Sequence, residues 1–383
     1  MIDDRSTSFF SENPTERKAL IVAGNRRHDR RSFLKRSSSI AGGVFVGEFS
    51  TLAAGAESPS KSKQPSRLVR FGHTDLMVTR YCQGTAFREI PRSDNPQARR
   101  ILHRCLDVGI NFFDSAEAYG WGGSETVLGK VIAGRRDQVI ICTKAAPSLA
   151  PVRDPNSNKF KLGKQVSFAR KTLFRKAEGS LKRLGTDYID LFLLHSPDEA
   201  GTPPEEISDT MNALVKAGKI RYWGLSNFKA DQVDKYYKLG KKETDRLPVA
   251  GTEDYYNVAA RARFEPHMPP LFRRTGLGLM AFSPQDTGRL APGRSVKSKA
   301  LIPLIEALDA VARELDAGRP QVCIAWTLSH PEVTTVLGGA ESPAHVEENI
   351  GGATLLLPPE ALAKINAASN KFLAYKLRRQ RKN

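Results

Sequence analysis

Four ionisable side chains of this 383-residue chain follow short apolar runs at a spacing that suits acid–base chemistry. Asp114 ends INFFD, Lys144 ends QVIICTK and His195 ends YIDLFLLH, while Tyr119 lies a few residues beyond Asp114. A tyrosine keeps its proton at neutral pH, and a lysine beside it stabilises the phenolate and lowers its pKa of about 10. An aspartate anchors the lysine, and a histidine orients a carbonyl oxygen or shares the proton. The set predicts proton delivery to a carbonyl, with the hydride supplied by a cofactor.

Each of these residues also has a structural explanation when it is taken alone. Asp114 suits a helix N-cap, His195 a hydrogen-bonded rim position, and Lys144 a surface chain whose stem packs on apolar neighbours. Catalysis is favoured only by their convergence. The elements that carry them must therefore bring them to one place.

Eight short runs, rich in β-branched or aromatic residues and bounded by Gly, Asp or Asn, are typical of buried parallel strands. They span residues 78–84, 110–114, 138–144, 188–195, 221–227, 247–253, 277–284 and 333–339. Helical periodicity marks residues 96–109, 124–134, 166–185, 204–219, 231–241 and 301–317. This α/β alternation predicts a (β/α)8 TIM barrel with an N-terminal β-hairpin plug and an extra C-terminal helix at 359–379. An open doubly wound sheet fits less well, because no G-x-G-x-x-G follows the first run.

The functional residues of such a barrel lie at its carboxyl-terminal mouth, where the strands end. Asp114, Lys144 and His195 each occupy a predicted strand end, and Tyr119 is in the loop that follows Asp114. The sequence therefore predicts one site at the mouth.

Several motifs resemble those of the aldo-keto reductases, in the family's order and spacing. They are DSAEAYG (114–120), GSETVLG (123–129), TK (143–144), LLHSPD (193–198) and WGLSNF (223–228). The resemblance extends over residues 67–350 and implies an enzyme that interconverts aldehydes or ketones with alcohols. It implies that Tyr119 is the general acid, tuned by Lys144 and Asp114. His195 would position the carbonyl.

The resemblance also implies a cofactor bound across the mouth, with NADP(H) expected and NAD(H) the alternative. The residues expected to contact it are Gly84, Thr85, Ser226, Asn227, Glu253, Phe282, Gly339, Ala340, Glu341, His345, Glu348 and Asn349. Ser226 and Asn227 would hold the nicotinamide carboxamide, and Phe282 would stack on the ring. Residues 338–349 would bind the adenosine phosphate end.

Three of these positions depart from the family's pattern. Glu253 stands where the family has the Gln of Q-x-x-Y-N, and an ionised carboxylate can only accept hydrogen bonds. The cofactor contacts are therefore expected to change there, or the nicotinamide amide to donate to Glu253. Phe282 stands where tyrosine is common and keeps the stacking face. Glu341 would repel a 2′-phosphate but accept a hydrogen bond from a ribose hydroxyl, which keeps NAD(H) open.

The N-terminal segment contains RRSFLK, residues 30–35, which resembles a twin-arginine export signal. The weakly apolar run that follows ends in Ala54-Gly55-Ala56, a small-x-small cleavage pattern. That run is too short and polar to cross a bilayer, so no stable membrane anchor is expected. The resemblance implies export of a folded, cofactor-loaded protein to the periplasm. A disordered leader on a cytoplasmic protein is the alternative.

The predicted organisation is a signal segment (1–56), a linker (57–66), the barrel (67–375) and a basic tail (376–383). The formal charge of +18 predicts attraction to anions without identifying one. Expected partners are a small carbonyl or alcohol substrate and the twin-arginine translocation machinery, with no nucleic acid expected. A regulatory or sensor barrel with little turnover and a secreted polyanion binder remain alternatives. The scattered cysteines Cys82, Cys105, Cys142 and Cys323 predict buried thiols and no metal site.

Overall fold

The computed structural model describes residues 68–86, 95–149, 152–153, 160–161, 164–242, 247–296 and 298–380. The predicted export signal and the linker lie outside the described residues. The strands are β1 (Leu68–Arg70), β2 (Met77–Thr79), β3 (Tyr81–Gly84), β4 (Phe112–Asp114), β5 (Ile140–Ala145), β6 (Val152–Arg153), β7 (Phe160–Lys161), β8 (Ile189–Leu194), β9 (Ile220–Ser226), β10 (Gly251–Tyr255), β11 (Gly278–Phe282) and β12 (Thr335–Gly338). The α-helices are α1 (Pro96–Asp107), α2 (Gly123–Ile132), α3 (Arg170–Leu184), α4 (Pro204–Lys216), α5 (Ala230–Lys242), α6 (Met268–Thr275), α7 (Ile302–Glu314), α8 (Arg319–Leu328), α9 (Pro343–Gly352) and α10 (Pro359–Gln380).

Eight parallel strands close into a barrel in the order β3, β4, β5, β8, β9, β10, β11, β12, and β12 pairs with β3. The (β/α)8 prediction is confirmed, because each predicted run overlaps one barrel strand and helices lie between the strands. The extra helix is present as α10. The periodicity missed α6 and α8, and it missed the antiparallel pair β6 and β7 between β5 and α3.

The barrel interior follows the two-residue period of its strands. Apolar side chains at alternate positions, including Cys82, Phe112, Cys142, Leu193 and Met280, form one buried cluster inside the barrel. On several strands, the inward-facing position that follows this apolar cluster is the last one before the carboxyl-terminal mouth of the barrel. The same period that fills the core therefore sets which residues line the carboxyl end.

The amino end of the interior is closed by the hairpin of β1 and β2, as predicted. Phe71, in the turn after β1, is fully buried, and its ring lies 6.0 Å from that of Phe112. Gly251 and Gly278 begin β10 and β11, and a Cβ on either would lie 2.7 Å from the Phe71 ring. These two glycines make the space that Phe71 fills.

A second, larger apolar cluster packs the outer faces of the strands against the helices. The extra helix α10 joins it, where Trp326 of α8 donates an indole hydrogen bond of 2.8 Å to Asn366. The four cysteines are free and buried, as predicted. Among the described helices, none is both long and apolar enough to cross a membrane.

Candidate active site

Strand periodicity brings the residues predicted for acid–base chemistry to the carboxyl end of the interior. Asp114 follows Phe112 by two residues on β4, and Lys144 follows Cys142 by two residues on β5. His195 directly follows β8, and its backbone N–H donates to Ala145 O at 2.9 Å. The structure thus places all three at one mouth, as the sequence predicted.

Lys144 is the centre of this site. Its Nζ donates to both carboxylate oxygens of Asp114, at 2.5 and 2.6 Å, to the carbonyl oxygen of Ser115 at 3.0 Å and to the hydroxyl of Tyr119 at 3.2 Å. Both Lys144 and Asp114 are fully buried. A buried cation paired in this way holds Tyr119 in a fixed orientation and faces its oxygen with a positive charge.

Tyr119 begins a 3-10 turn, Tyr119–Gly122, that leads into α2. The turn is tight because Gly120, Trp121 and Gly122 have φ of 59°, 49° and 94°, in the left-handed region. The ring of His195 meets the Tyr119 ring edge-on, with 5.6 Å between centroids. Tyr119 is therefore held between the Lys144 ammonium and the His195 imidazole.

The electrostatics of the three groups have a common cause in burial. Burial raises the pKa of Tyr119 above its usual value, and the Lys144 cation offsets only part of that rise. The sequence-based expectation of a lowered tyrosine pKa is wrong for this state of the site, because desolvation outweighs the lysine. Burial, followed by repulsion from Lys144, lowers the pKa of His195 to about 3. Tyr119 is therefore protonated and His195 neutral at physiological pH.

Glu253 reaches the same cluster from β10, across the barrel. It is 3% exposed, and its Oε2 lies 3.2 Å from Lys144 Nζ. That oxygen is buried without a hydrogen-bond partner among the described residues. Burial, with Asp114 as the next cause, raises the pKa of Glu253 to about 8. Burial would lower the pKa of Lys144, but Asp114 and Glu253 raise it well above its usual value.

One group of potential metal ligands lies in this cluster. Ligand atoms of Asp114, Cys142 and Glu253 lie within 4.8 Å of one another. The Lys144 ammonium sits beside both carboxylates and supplies the positive charge that a cation would bring. The donor set is therefore that of an ion-pair cluster.

Two acidic residues that the sequence analysis did not single out support the site. Glu125 on α2 is fully buried and accepts from Thr143 Oγ1 and Arg183 Nε, both at 2.6 Å. Glu117 accepts from Lys176 Nζ at 2.7 Å. These bonds fix β5 beside Lys144 and the loop before Tyr119. A signal for Glu125 was present, since it shares a helical face with the apolar residues three and seven positions later.

The residues predicted to hold the nicotinamide lie around this cluster. The Asn227 side chain donates to His195 O at 3.0 Å and to Ser226 Oγ at 3.1 Å, with Asn227 itself at a φ of 63°. Phe282 ends β11, and its ring lies 5.3 Å from that of Tyr255. Gly84 ends β3 beside them. Thr85 is buried and bonded to Ser115 Oγ at 3.0 Å, so its hydroxyl supports the loop that carries Tyr119.

The predicted adenosine segment forms the loop after β12 and the start of α9. Gly339 is exposed with open space where a Cβ would stand, whereas Ala340 is buried. Asn349 is buried and donates to Tyr81 Oη at 2.9 Å and to Gly339 O at 3.0 Å, so its amide holds this loop in place. Glu341 Oε1 lies 3.7 Å from Arg294 Nη2.

His345 and Glu348 belong to α9, whose N-cap Ser342 accepts a 3.3 Å hydrogen bond from His345 N. His345 is exposed and its Nδ1 lies 3.4 Å from Glu341 N, whereas Glu348 is half-buried beside Gly318. A helix N-terminus after an open glycine suits a phosphate group. Together with the orphan oxygen of Glu253 and the Phe282 ring, this arrangement fits a nicotinamide dinucleotide.

A cavity of about 760 Å³ opens next to the mouth, between the carboxyl ends of β9 and β10. Asp254 lines it and, one residue after the inward Glu253, points to the outside of the barrel wall. Burial raises the pKa of Asp254 to about 6. The hydroxyl of Thr252 donates a hydrogen bond to the Asp254 carboxylate, and this bond opposes the rise in pKa.

Comparison with known proteins decides the family. The model of the aldo/keto reductase family matches residues 82–370, which include the barrel strands apart from Tyr81, the first residue of β3, and every residue predicted for the site. The chain belongs to this family.

Individual relatives carry two kinds of name. A probable voltage-gated potassium channel subunit beta from Oryza sativa subsp. japonica is 30% identical over 325 residues, covering 77% of this chain and 94% of the relative. The uncharacterized oxidoreductase YrpG of Bacillus subtilis (strain 168) is 32% identical over 315 residues, covering 77% of this chain and 93% of the relative. The crystal structure of the thermostable aldo-keto reductase Tm1743 with the inhibitor epalrestat has a TM-score of 0.65 and 25% identity, covering 79% of this chain and 99% of that one. Membership of this family supports an oxidoreductase.

Proposed function

We propose that this protein is an NAD(P)(H)-dependent reductase of aldehydes or ketones, with Tyr119 as the general acid. The observation that carries the proposal is the hydrogen bond of 3.2 Å between Lys144 Nζ and Tyr119 Oη inside a buried, Asp114-anchored ion pair. A purely structural ion pair has no need to hold a half-buried tyrosine hydroxyl at an open mouth. The arrangement instead directs one proton toward whatever occupies that mouth.

In this proposal each residue of the chain has a distinct task. Tyr119 gives its proton to the carbonyl oxygen as that oxygen gains negative charge, and the Lys144 cation stabilises the resulting phenolate. Asp114 holds Lys144 charged and in place. Neutral His195, bordering Tyr119, orients the carbonyl oxygen by hydrogen bonding.

The cofactor supplies the hydride when it is bound. Ser226, Asn227 and Glu253 would hold its nicotinamide end, Phe282 would pack on the ring, and the start of α9 would bind the phosphates. NADP(H) is the expected form, with Arg294 near the adenosine end as a partner for a 2′-phosphate. The carboxylate of Glu341 beside Arg294 keeps NAD(H) as the alternative.

The test is rapid-mixing measurement of single-turnover oxidation of NADPH or NADH with a panel of aldehydes and ketones. The wild-type protein is expected to oxidise the bound nucleotide, and Tyr119→Phe to lose about 10²- to 10⁴-fold in that rate while binding the nucleotide normally. Phe keeps the ring beside Lys144 and removes only the acid. A rate unchanged in Tyr119→Phe would assign the proton to another group.

A regulatory function is the second candidate, favoured by the names of the rice relative and of similar proteins in Schizosaccharomyces pombe and Arabidopsis thaliana. In this alternative the barrel binds nucleotide and turns it over slowly, and Glu253 alters the nicotinamide contacts. Tight nucleotide binding with no single-turnover oxidation by any carbonyl would favour it over the enzyme.

We also propose that residues 1–56 export the folded barrel through the twin-arginine machinery, on the strength of RRSFLK alone. Fractionation of cells that express the full chain tests this. The protein is expected in the periplasm, and Arg30→Lys/Arg31→Lys should retain it in the cytoplasm. Equal cytoplasmic retention of both forms would contradict export.

A further inference from the structure

The donors of Lys144 are already used without Glu253. Its three N–H groups serve the Asp114 carboxylate, Ser115 O and Tyr119 Oη. Glu253 Oε2 lies 3.2 Å from the same nitrogen, yet it is a buried oxygen that receives no hydrogen bond from a described residue. A buried acceptor left in that state is unfavourable unless the oxygen carries a proton of its own and donates it.

The charges of the cluster lead to the same result. Asp114, Glu253 and Lys144 would carry a net charge of −1 in a buried site if both carboxyls were ionised, whereas one retained proton makes the set neutral. Both carboxylate oxygens of Asp114 accept from Lys144 Nζ, at 2.5 and 2.6 Å, whereas Glu253 Oε2 accepts from no described residue. Glu253 is therefore the member of the pair that holds the proton.

The other titratable groups around Glu253 do not compete for this role. The thiols of Cys82 and Cys142 face it from β3 and β5, and burial raises the pKa of both well above the usual value, so they stay neutral. His195 stays neutral for the reason given above. Tyr119 retains its own proton until it reacts.

We infer that Glu253 stores the proton that restores Tyr119 after a reduction, and that Lys144 passes it on. This inference rests on the proposed function. Glu253 acts through Lys144 and is a positioning and proton-holding residue, distinct from the acid that meets the substrate. Glutamine, usual for the family at this position, keeps the shape of the side chain but cannot hold that proton.

The proton transfers balance. Once Tyr119 has given its proton to the alkoxide, its phenolate takes a proton from the Lys144 ammonium, which becomes a neutral amine. The Glu253 carboxylic acid then gives its proton to that amine, which leaves Tyr119 neutral, Lys144 charged and Glu253 ionised. Solvent returns one proton to Glu253 before the next cycle, so the sum is one proton consumed per carbonyl reduced.

The negative charge that Glu253 gains also suits its position beside the nicotinamide. Glu253 becomes negative at the position predicted to contact the nicotinamide, whose oxidised form is positive. An ionised Glu253 therefore favours oxidised over reduced nucleotide, and oxidised nucleotide in turn favours loss of the Glu253 proton.

The first experiment uses the full chain without nucleotide, so it is independent of the proposed function. Infrared difference spectra of the wild type, titrated from about pH 6 to about pH 10, should show the band of a protonated carboxyl group disappearing near pH 8. Glu253→Gln should lack that band, and Glu314→Gln, an exposed carboxylate paired with Lys364, should keep it. If Glu253→Gln keeps the protonated-carboxyl band, the inference is overturned, even if the enzyme is active.

The second experiment measures protons released when NADP⁺ or NAD⁺ binds, by calorimetry at about pH 7 in two buffers with different ionisation enthalpies. The wild type should release up to one proton per site, Glu253→Gln none, and Glu253→Asp a fraction of the wild-type value. Equal release by the wild type and Glu253→Gln would also overturn the inference. Failure of all variants to bind nucleotide, with the infrared band present, would instead count against the proposed function.

Kinetics give a third readout. In Glu253→Gln any change in the first-turnover rate reports altered nicotinamide contacts, because Tyr119 begins that turnover with its own proton. Steady-state reduction should fall further and be restored by a small buffer acid such as imidazole. The steady-state rate of reduction by the wild type should fall as pH rises through about 8. The pH profile of Glu253→Gln should lack this basic limb. The same limb in Glu253→Gln would assign the titration to another group.

Discussion

The two ends of the barrel interior are lined by the same strands yet filled in opposite ways. At the amino end Phe71 packs on Phe112 in space left by two glycines. At the carboxyl end Lys144 Nζ lies within 3.2 Å of Asp114, Tyr119 and Glu253. A few residues of strand separate apolar packing from a buried ion cluster.

Along each strand, the amino end therefore contributes mainly to stability, and the carboxyl end carries the groups suited to chemistry. Burial of apolar surface at the amino end stabilises the fold wherever the side chains fit. Burial of charges at the carboxyl end stabilises little in net terms, because desolvation offsets much of the attraction. The ion cluster is retained where it orients Tyr119, and the apolar end holds the strands that position it.

Lys144→Met should have the largest effect, since it removes the cation and leaves two buried carboxyls. Reduction should fall by about 10²-fold or more, and the free energy of unfolding at neutral pH by about 3–5 kcal/mol. The loss of stability should shrink as pH falls, because protonated carboxyls need no counter-charge. Urea unfolding at several pH values measures it. Lys364→Met, in an exposed ion pair, should change stability by less than about 1 kcal/mol.

Phe71→Ala tests the other end. It opens a cavity under β10 and β11 and should lower the free energy of unfolding by about 3–5 kcal/mol. Phe71→Leu should cost less because it fills part of the space. The rate of reduction per folded molecule should stay near the wild-type value, since Phe71 lies at the opposite end from Tyr119. A large loss of turnover in fully folded Phe71→Leu would show that the two ends are coupled.

Sequence reasoning located the site residues because two facts are enough to place a residue at a strand end. Side chains of a strand alternate in direction with a period of two, and the functional residues of a (β/α)8 barrel lie where its strands end. Asp114 and Lys144 needed no further information. The approach of Glu253 to Lys144 was beyond it, because the two residues are distant in the chain and meet only when the barrel closes. The sign of the Tyr119 pKa shift was missed for a related reason, since burial is a property of the fold. Helix α8 was missed because it is buried on nearly all sides and lacks an amphipathic pattern.

Asp254 allows the two faces of one strand to be compared. Its pKa in the folded protein is about 6, above the ordinary 3.8, so the folded state binds the proton more tightly than the unfolded state does. The free energy of unfolding should therefore fall as pH rises from about 4 to above about 6, by up to about 3 kcal/mol. Asp254→Asn keeps an acceptor for Thr252 and should remove that slope. An unchanged slope in Asp254→Asn would assign it to other acids, with Asp231→Asn, an exposed carboxylate at the same cavity, as the control.

Glu341→Ser should have the smallest effect, at the rim of the charged end, where solvent screens the groups. Glu341 and Arg294 are 56% and 48% exposed, and pairs of this kind contribute about 1 kcal/mol at most. Removing the carboxylate leaves Arg294 facing the place predicted for the adenosine ribose, so the NADPH-to-NADH affinity ratio should rise by up to about fivefold. Arg294→Gln should lower the same ratio. Fluorescence titration with both nucleotides measures it, and because the Glu341 carboxylate is solvated, the rise should diminish as salt is added. A ratio that moves in neither variant would place nucleotide selection elsewhere on the mouth.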